Sequence, residues 1–526
     1  MEAVIFLQFS ENTPMKHSRR RFIQHSLLSL PAIGALASCG GGGGSTALNG
    51  LPSSSTQNNT ALPSELKNYG KTLVPYSPLA KQPKLKYFAD PDFGTRMLRI
   101  TDAKADWNSQ IAIPVYPTTQ AWNADETLLI LYVSQPLSSS GVAGSWGLFD
   151  GKSYAFIQFL PINPADVEQF YWSTTNPQVL FYVNNGQPNG TWVNQLTQAN
   201  IVPSAKASNG TITAVQVTQT VIHDFANDFK SGGLLAGAVS GAGTITVVSG
   251  GEDPFAMSED NDLIGLGAYL NKNGPTGSAA YAAFSYRISS NTIGAPFTVE
   301  ADVPQALPSG RGSYFYKDTS GVQVLDAVTN KVLLTLPFDG SQHSDLLRNA
   351  AGDDIIVGVQ FDVPSGGATG TLVWTNLTKG GTVNTLIGPA AGDPYPPGGT
   401  LVSGRAYKNP GWLAAGIVGC PSGSTGNCNG PNPSVVGSPM TYLDQEVLVA
   451  NVDNGGIFRV AHHRSTGNYS NASNSNYWAQ PNVTISPSGT RVLFQSDWGS
   501  ANPSSPVINP NAIVDTYVIE LPTYKG

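Results

Sequence analysis

Two histidines and an arginine stand together in Ala461-His462-His463-Arg464-Ser465, and an aromatic run, Tyr477-Trp478-Ala479-Gln480, follows them. An imidazole can take a proton, a guanidinium can neutralise a carboxylate, and aromatic rings stack on the apolar faces of sugars. Neighbouring side chains on a strand point to opposite faces, so at most one of His462 and His463 reaches a given pocket. The other candidates lie far away in sequence: His343 in Ser341-Gln342-His343-Ser344-Asp345, Arg405 with Tyr407, and Trp498. A catalytic set of His462, His463, Arg464, Tyr477, His343, Arg405 and Tyr407 would suit removal of a proton beside a carboxylate. Trp478, Gln480 and Trp498 would bind the ligand. The structural alternative is a strand-end histidine satisfied in the core, with Arg464 at the surface. His223, in Val221-Ile222-His223-Asp224, reads as such a strand histidine.

Metal chemistry has weaker support. Asp224, Asp253, Asp260, Asp262, Asp353 and Asp354 fall in turns, and none shows the twelve-residue calcium-loop spacing. They read as turn-capping carboxylates, with no metal ligands assigned. There is no dinucleotide fingerprint and no phosphate loop. Ala143-Gly144-Ser145-Trp146-Gly147 half resembles a nucleophile elbow but lacks the strand–helix setting. No cofactor is expected, and a divalent ion is left open.

The elements that must position these residues are strands. Charged residues make up 12% of the chain against a usual quarter, while Gly (57) and Pro (38) are numerous. One unit recurs: an aromatic or polar approach, a Ser/Asn turn, then an apolar strand. It appears at Gln120–Tyr132, Tyr171–Tyr182, Phe255–Leu266, Leu346–Val357 and around Ser486. The Ser or Asn side chain can bond its own backbone and close the turn. The apolar run suits a strand covered on both faces, which one sheet cannot achieve alone, so copies must stack. This predicts an all-β fold, a single β-propeller over residues 85–526 with seven, or eight, four-stranded blades of about 40–50 residues plus insertions. A pair of β-sandwiches is the alternative.

The N-terminus carries an address. Ser18-Arg19-Arg20-Arg21-Phe22-Ile23-Gln24 resembles the twin-arginine translocation motif, and Leu27 to Ser38 is an apolar run too short to span a bilayer. Leu36-Ala37-Ser38-Cys39 resembles a bacterial lipobox, which makes Cys39 the lipidated residue and residues 1–38 the signal peptide. Met15 looks like the natural start, so that 1–14 fall outside the signal. Residues 39–84, rich in Gly and Ser, are expected to form a tether. Cys420 and Cys428 sit in a Gly/Ser turn and read as a disulfide outside the cytoplasm. Removal of 1–38 takes away four basic and two acidic side chains and changes the net charge from −7 to −9. That argues against nucleic acid or an anionic membrane as partner. The expected location is the periplasm or cell surface, attached to inner or outer membrane by the lipid alone.

Tyr477 to Gly499 resembles the last blade of TolB-like propellers and, more narrowly, of oligogalacturonate lyases. The shared pieces are Gln480, the Ser486-Pro487-Ser488-Gly489 turn, the Val492-Leu493-Phe494 strand and Ser496-Asp497. Those lyases place metal-binding histidines between that glutamine and serine. Here Pro481-Asn482-Val483-Thr484-Ile485 has none, so the metal site is not carried over. The resemblance implies a propeller that binds or acts on extracellular polysaccharide, with β-elimination on a uronic-acid glycan as the enzymatic version. A non-catalytic envelope scaffold, gripping a glycan or partner protein, is the competing expectation. Hydrolysis by paired turn carboxylates is a third.

Overall fold

The computed structural model describes residues 66–134, 145–186, 193–230, 232–233, 235, 247–250, 255–269, 282–296, 303–316, 321–337, 343–360, 371–393, 401–417, 442–466, 478–502, 507, 509 and 511–526. Cys39, Cys420, Cys428, Tyr477 and the export signal lie outside them. The fold is an all-β propeller. Six four-stranded antiparallel sheets, each made of consecutive strands, form blades 1 to 6; they begin with the inner strands Ala112–Ile113, Phe170–Trp172, Val247–Ser249, Gln305–Ala306, Ser344–Arg348 and Leu401–Ser403. A five-stranded sheet closes the ring, ordered Tyr87–Ala89, Arg96–Arg99, Asp515–Glu520, Arg491–Ser496, Val483–Ile485. Among the described residues the ring thus has six four-stranded blades and a five-stranded closing sheet, not the expected seven or eight four-stranded blades.

The repeat unit is the inner strand, its turn and the second strand of a blade. Turns of this kind share one bond: the fourth residue donates its N–H to the carbonyl of the first, as in Glu126 to Asn123 (3.0 Å), Asn261 to Ser258 (2.9 Å), Gly352 to Asn349 (2.9 Å) and Gly489 to Ser486 (2.8 Å). That fourth residue takes the left-handed conformation in each case (φ 59°, 61°, 85° and 73°), which explains the Gly and Asn there. The first residue's side chain accepts from the start of the next strand, as Asn123 Oδ1 from Leu128 (2.9 Å) and Ser258 Oγ from Leu263 (2.9 Å). Blades 4 and 6 carry turns that the repeat search passed over, at Leu307-Pro308-Ser309-Gly310 and Ala406-Tyr407-Lys408-Asn409. Their second strands begin with Ser313-Tyr314 and Trp412-Leu413 rather than with an aliphatic run.

The turns join hands around one face. Asn123 donates to Pro177 O (2.8 Å), Asn261 to Thr175 Oγ1 (2.9 Å), and Glu259 N to Pro308 O (2.8 Å). Ser309 N donates to Asp354 Oδ1 (2.9 Å), Gly411 N to Arg348 O (2.7 Å), Lys408 N to Pro487 O (2.9 Å), and Ser488 N to Glu126 Oε1 (2.6 Å). Each link ties one sheet to the next, and the last returns to blade 1. Between sheets lie apolar seams such as Leu98, Ile100, Leu129, Leu131, Leu493 and Val518, all buried.

The closing sheet also holds the chain's two ends together. Leu98 pairs with Val518, and Met97 with Ile519. Residues 66–84, expected in the tether, instead lie on the propeller: Val74 is buried, Leu79 N donates to Ala501 O (2.8 Å), and Tyr76 Oη donates to Ser500 O (2.9 Å). Leu66 and Leu79 pack on the same core, so no more than residues 39–65 remain for a tether.

Arg491 fastens the closing sheet to blade 1. Fully buried, it donates to Glu126 Oε2 (2.7 Å), Gly151 O (2.5 Å) and Tyr154 Oη (3.2 Å), with the guanidinium 4.8 Å from the Trp122 ring. Removing one partner of a buried ion pair costs about 3–5 kcal/mol, whereas surface changes stay within about 0.5 kcal/mol. Arg491→Met is therefore expected to lower stability by about 3–5 kcal/mol in urea unfolding. Val202→Ala, on the exposed blade 2 hairpin, should leave the midpoint in place.

Candidate functional site in the central channel

The inner strands all run the same way, so the turns that follow them share one face and the residues that precede them share the other. This divides the residues singled out in the sequence. His343 precedes the blade 5 inner strand and Gln480 precedes that of the closing sheet, on the face away from the turns. Arg405 and Tyr407 follow the blade 6 inner strand. His462 ends the outermost strand of blade 6, Ile457–His462, and His463 and Arg464 follow it, away from the channel. The expected convergence of His343, His463 and Arg405 does not occur.

His463 is fully buried with both ring nitrogens engaged: Nε2 faces Ile417 O at 3.0 Å, and Nδ1 accepts from Ser465 N–H at 3.1 Å. Nε2 therefore carries the proton. Burial pushes its pKa down to about 3, against the bond to Ile417. It has no nitrogen left to take a proton from a substrate. Arg464 is not at the surface either: it is fully buried, donates to Ser77 O (2.7 Å), and lies over the rings of Tyr76 and Trp498 at 4.8 and 5.9 Å. Trp498 is buried, donates to Leu79 O (2.8 Å) and stacks on Tyr517 at 4.6 Å. Trp478 packs partly buried against Ile111, Ile113, Ala479 and Val514, its carbonyl accepting from Gln495 Nε2 (2.6 Å). Gln480 is half-buried, and its carbonyl accepts from Asn482 N (2.7 Å). These residues anchor the 66–93 segment and blade seams; none lines the channel cluster described below.

His462 belongs to a buried charged knot under that segment. Its Nδ1 lies 3.3 Å from Asp92 Oδ2, and Asp90, Asp92 and His462 offer three ligand atoms within 4.8 Å of one another. Most donors of this set are already engaged within the fold, although His462 Nδ1 is buried without a hydrogen-bond partner among the described residues. Arg464 Nη2 already sits 3.5 and 3.7 Å from Asp92 and Asp90. Asp92 accepts from Ser77 N (2.9 Å) and Ser77 Oγ (2.5 Å), and Asp90 accepts from Asp92 N, Phe93 N and His462 N (2.9, 3.0 and 3.1 Å). Burial would raise the Asp92 carboxyl, but the bonds from His462 and Ser77 outweigh it and hold it at about 2.

A different set converges inside the ring. Tyr171 sits mid-strand between buried Phe170 and Trp172, packs on the seam with blade 3, and lies within electrostatic reach of Glu259 and Arg405. Arg405 donates to both oxygens of buried Asp345, through Nε at 2.9 Å and through Nη2, and to Leu346 O at 3.0 Å. Glu259, in the blade 3 turn, lies 3.6 Å from Arg348 Nη1 of blade 5, so the pair bridges past blade 4. Gln120 of blade 1 donates to Arg405 O and Ile485 O (2.9 Å each), reaching two other sheets. Such cross-ring bonds place these side chains around the axis.

The cluster is deep but wet: the side chains of Arg405, Glu259 and Arg348 keep 16%, 23% and 30% exposure. Burial raises the Glu259 carboxyl to about 7, helped by Asp354 and opposed by Arg348 and Arg405. Burial raises the Tyr171 hydroxyl, with Glu259 adding to it and Arg405 opposing. Tyr407 is raised by burial and then by Tyr171, Glu126 and Glu259. Burial lowers Arg405, which Tyr171 and Glu259 partly offset. The Tyr407 hydroxyl is buried with no hydrogen-bond partner among the described residues. The recess thus joins neutral hydroxyls, two guanidinium groups and a carboxyl that exchanges protons near neutrality. Sequence reading found Arg405 and Tyr407. It missed Tyr171, Glu259 and Arg348, which stood inside the repeat units and were read as fold.

No protein-family model matches the chain, and no curated protein is similar to it. Among solved structures, an oligogalacturonate lyase from Vibrio parahaemolyticus is similar at TM-score 0.47 and 11% identity, covering 83% of this chain and 96% of its own. An oligogalacturonate lyase in complex with manganese is similar at TM-score 0.47 and 9% identity, covering 86% and 98%. The Pan2 WD40 domain of Neurospora crassa is similar at TM-score 0.38 and 11% identity, covering 81% and 98%.

The buried knot predicts acid lability. His463 has a folded pKa near 3 against an ordinary 6.5, and Asp92 one near 2 against 3.8. For a depressed folded pKa the contribution is full above the unfolded value and lost as pH falls through the folded one. Stability is therefore expected to fall from pH 6.5 down to about 3 for His463, continuing to about 2 for Asp92. In urea unfolding across that range, His463→Gln should flatten the upper part of the curve.

Proposed function

We propose that the protein binds an acidic extracellular polysaccharide in its central channel and acts on it by β-elimination at a uronic-acid residue. The observation that carries this reading is the convergence of Tyr171, Glu259, Arg348, Arg405 and Tyr407 from four blades on one solvent-touched recess. Guanidinium groups match carboxylate geometry, and tyrosine offers both a flat apolar face and a donor, which together suit a charged sugar. Elimination needs the carboxylate neutralised, a base for the adjacent proton, and a donor for the leaving oxygen. The channel holds a residue for each. The resemblance of the N-terminus to a twin-arginine signal and a lipobox supports a lipoprotein outside the cytoplasm, where these polymers occur.

A binding-only envelope protein is the second reading. The observation favouring it is that His462, His463 and Arg464 are locked in the fold.

The mature protein is to be incubated with polygalacturonate, alginate and glucuronan while ultraviolet absorbance of the unsaturated product is followed. Absorbance growth on at least one polymer is expected, and Tyr407→Phe should slow it without shifting the melting temperature. Silence on every polymer together with retained binding leaves the second reading. Silence without binding overturns both.

A further inference from the structure

We infer that Glu259 is the channel's proton-transfer residue and that Arg348 is its positioning residue; this rests on the elimination reading above. The blade 3 turn fixes Glu259 at both backbone atoms: its N–H donates to Pro308 O at 2.8 Å, and its carbonyl accepts from Thr174 Oγ1. Two neighbouring blades therefore hold its backbone, and its side chain reaches across the ring to Arg348. Arg348 is itself aimed by its bonds to Gly352 O (3.3 and 3.1 Å). The contact to Glu259 is 3.6 Å, a loose ion pair, and the Glu259 side chain keeps 23% exposure, so its carboxyl stays within reach of solvent. By contrast Asp345, the other carboxylate of the recess, is tied up by Arg405 and by Gly404 N (2.6 Å) and can accept no further proton-bearing group.

The groups facing Glu259 are Arg348 and Asp354 of blade 5, Arg405 of blade 6, Tyr171 of blade 2, Tyr407 of blade 6 and Asp260 of its own turn. A carboxyl poised at about 7 is suited to accept a proton and return it at neutral pH.

The step balances with this one residue. The Glu259 carboxylate takes the proton from C5 of the uronate. The electron pair of that C–H bond becomes the C4–C5 double bond. The C4–O bond breaks, and the departing oxygen takes the proton back from the Glu259 carboxyl. Arg405, still paired to Asp345, presents its remaining face to the uronate carboxylate. The unpartnered Tyr407 hydroxyl donates to the sugar.

The test is a pH profile of kcat/KM for the mature protein and three variants, on whichever polymer the wild type cleaves, with binding followed separately by calorimetry. The wild type is expected to show an acidic limb with midpoint near pH 7. Glu259→Gln should lose about 100-fold or more in kcat while polymer binding persists. Arg348→Met removes the group that holds the carboxyl down, so its limb should move to higher pH; Arg348→Lys should bring it back. Turnover by Glu259→Gln within tenfold of wild type, or a limb that Arg348→Met leaves in place, overturns the inference while the elimination reading stands. Silence of the wild type itself on every polymer overturns both, and that outcome is told apart because no variant is then needed to see it. Unchanged melting curves for Glu259→Gln, an isosteric change at a partly exposed side chain, exclude loss of fold as the cause.

Discussion

The closed circle of hydrogen bonds between blade turns is the constraint on which the rest depends. A propeller sheet cannot bury both faces alone, so each blade relies on a neighbour on either side. Apolar seams supply attraction but little direction. The turn-to-turn bonds supply direction: all but Asn261–Thr175 join a fixed backbone atom of one sheet to the next, from Asn123–Pro177 round to Ser488–Glu126. Their common geometry comes from a residue able to adopt left-handed φ at the fourth position, whether Gly489, Gly352, Asn261 or Glu126.

That circle also fixes what stands in the channel. Residues in or beside these turns are held on two sides before their side chains make any choice. Glu259 is bonded to blades 2 and 4 through its backbone and meets blade 5 through its side chain. Its chemistry follows from the same geometry, because a carboxyl pulled into a narrow recess loses water faster than it gains positive charge from Arg348 and Arg405. Fold and reactivity are in that sense one arrangement.

The buried polar groups divide into two populations. Arg491 with Glu126, Arg464 with Asp90 and Asp92, and Arg459 with Glu446 (2.5 Å) close seams and fasten the N-terminal segment. Each is almost entirely buried among aromatic rings or backbone carbonyls, Glu126 being the most exposed at 11% of its side chain. The channel group is less completely paired and keeps contact with water. Satisfied networks rigidify, and incompletely paired ones remain available to ligands. The distinction separates the histidines near residue 463 from the carboxyl at 259.

Much of the architecture was legible in the chain. The Ser/Asn turn followed by an aliphatic strand marked Gln120, Tyr171, Phe255, Leu346 and Ser486 as starts of equivalent units, because local hydrogen bonding and burial write themselves into adjacent residues. Blades 4 and 6 were not legible, since Ser313 and Trp412 break the aliphatic pattern. The ring closure, with Leu98 beside Val518, could not be seen at all: nothing local marks a pairing between chain ends. The surroundings of the candidate residues were hidden for a related reason. His462-His463-Arg464 combine reactive types side by side, yet proximity in sequence put them at the end of an outer strand, where residues 76–93 pack over them and take up most of their polar atoms. The sequence by itself determined which segments become strands and turns, a matter of side-chain type within a few residues. Only the tertiary structure decided which carboxyl stays in water and which arginine faces it, because both depend on side chains brought from four blades to one axis.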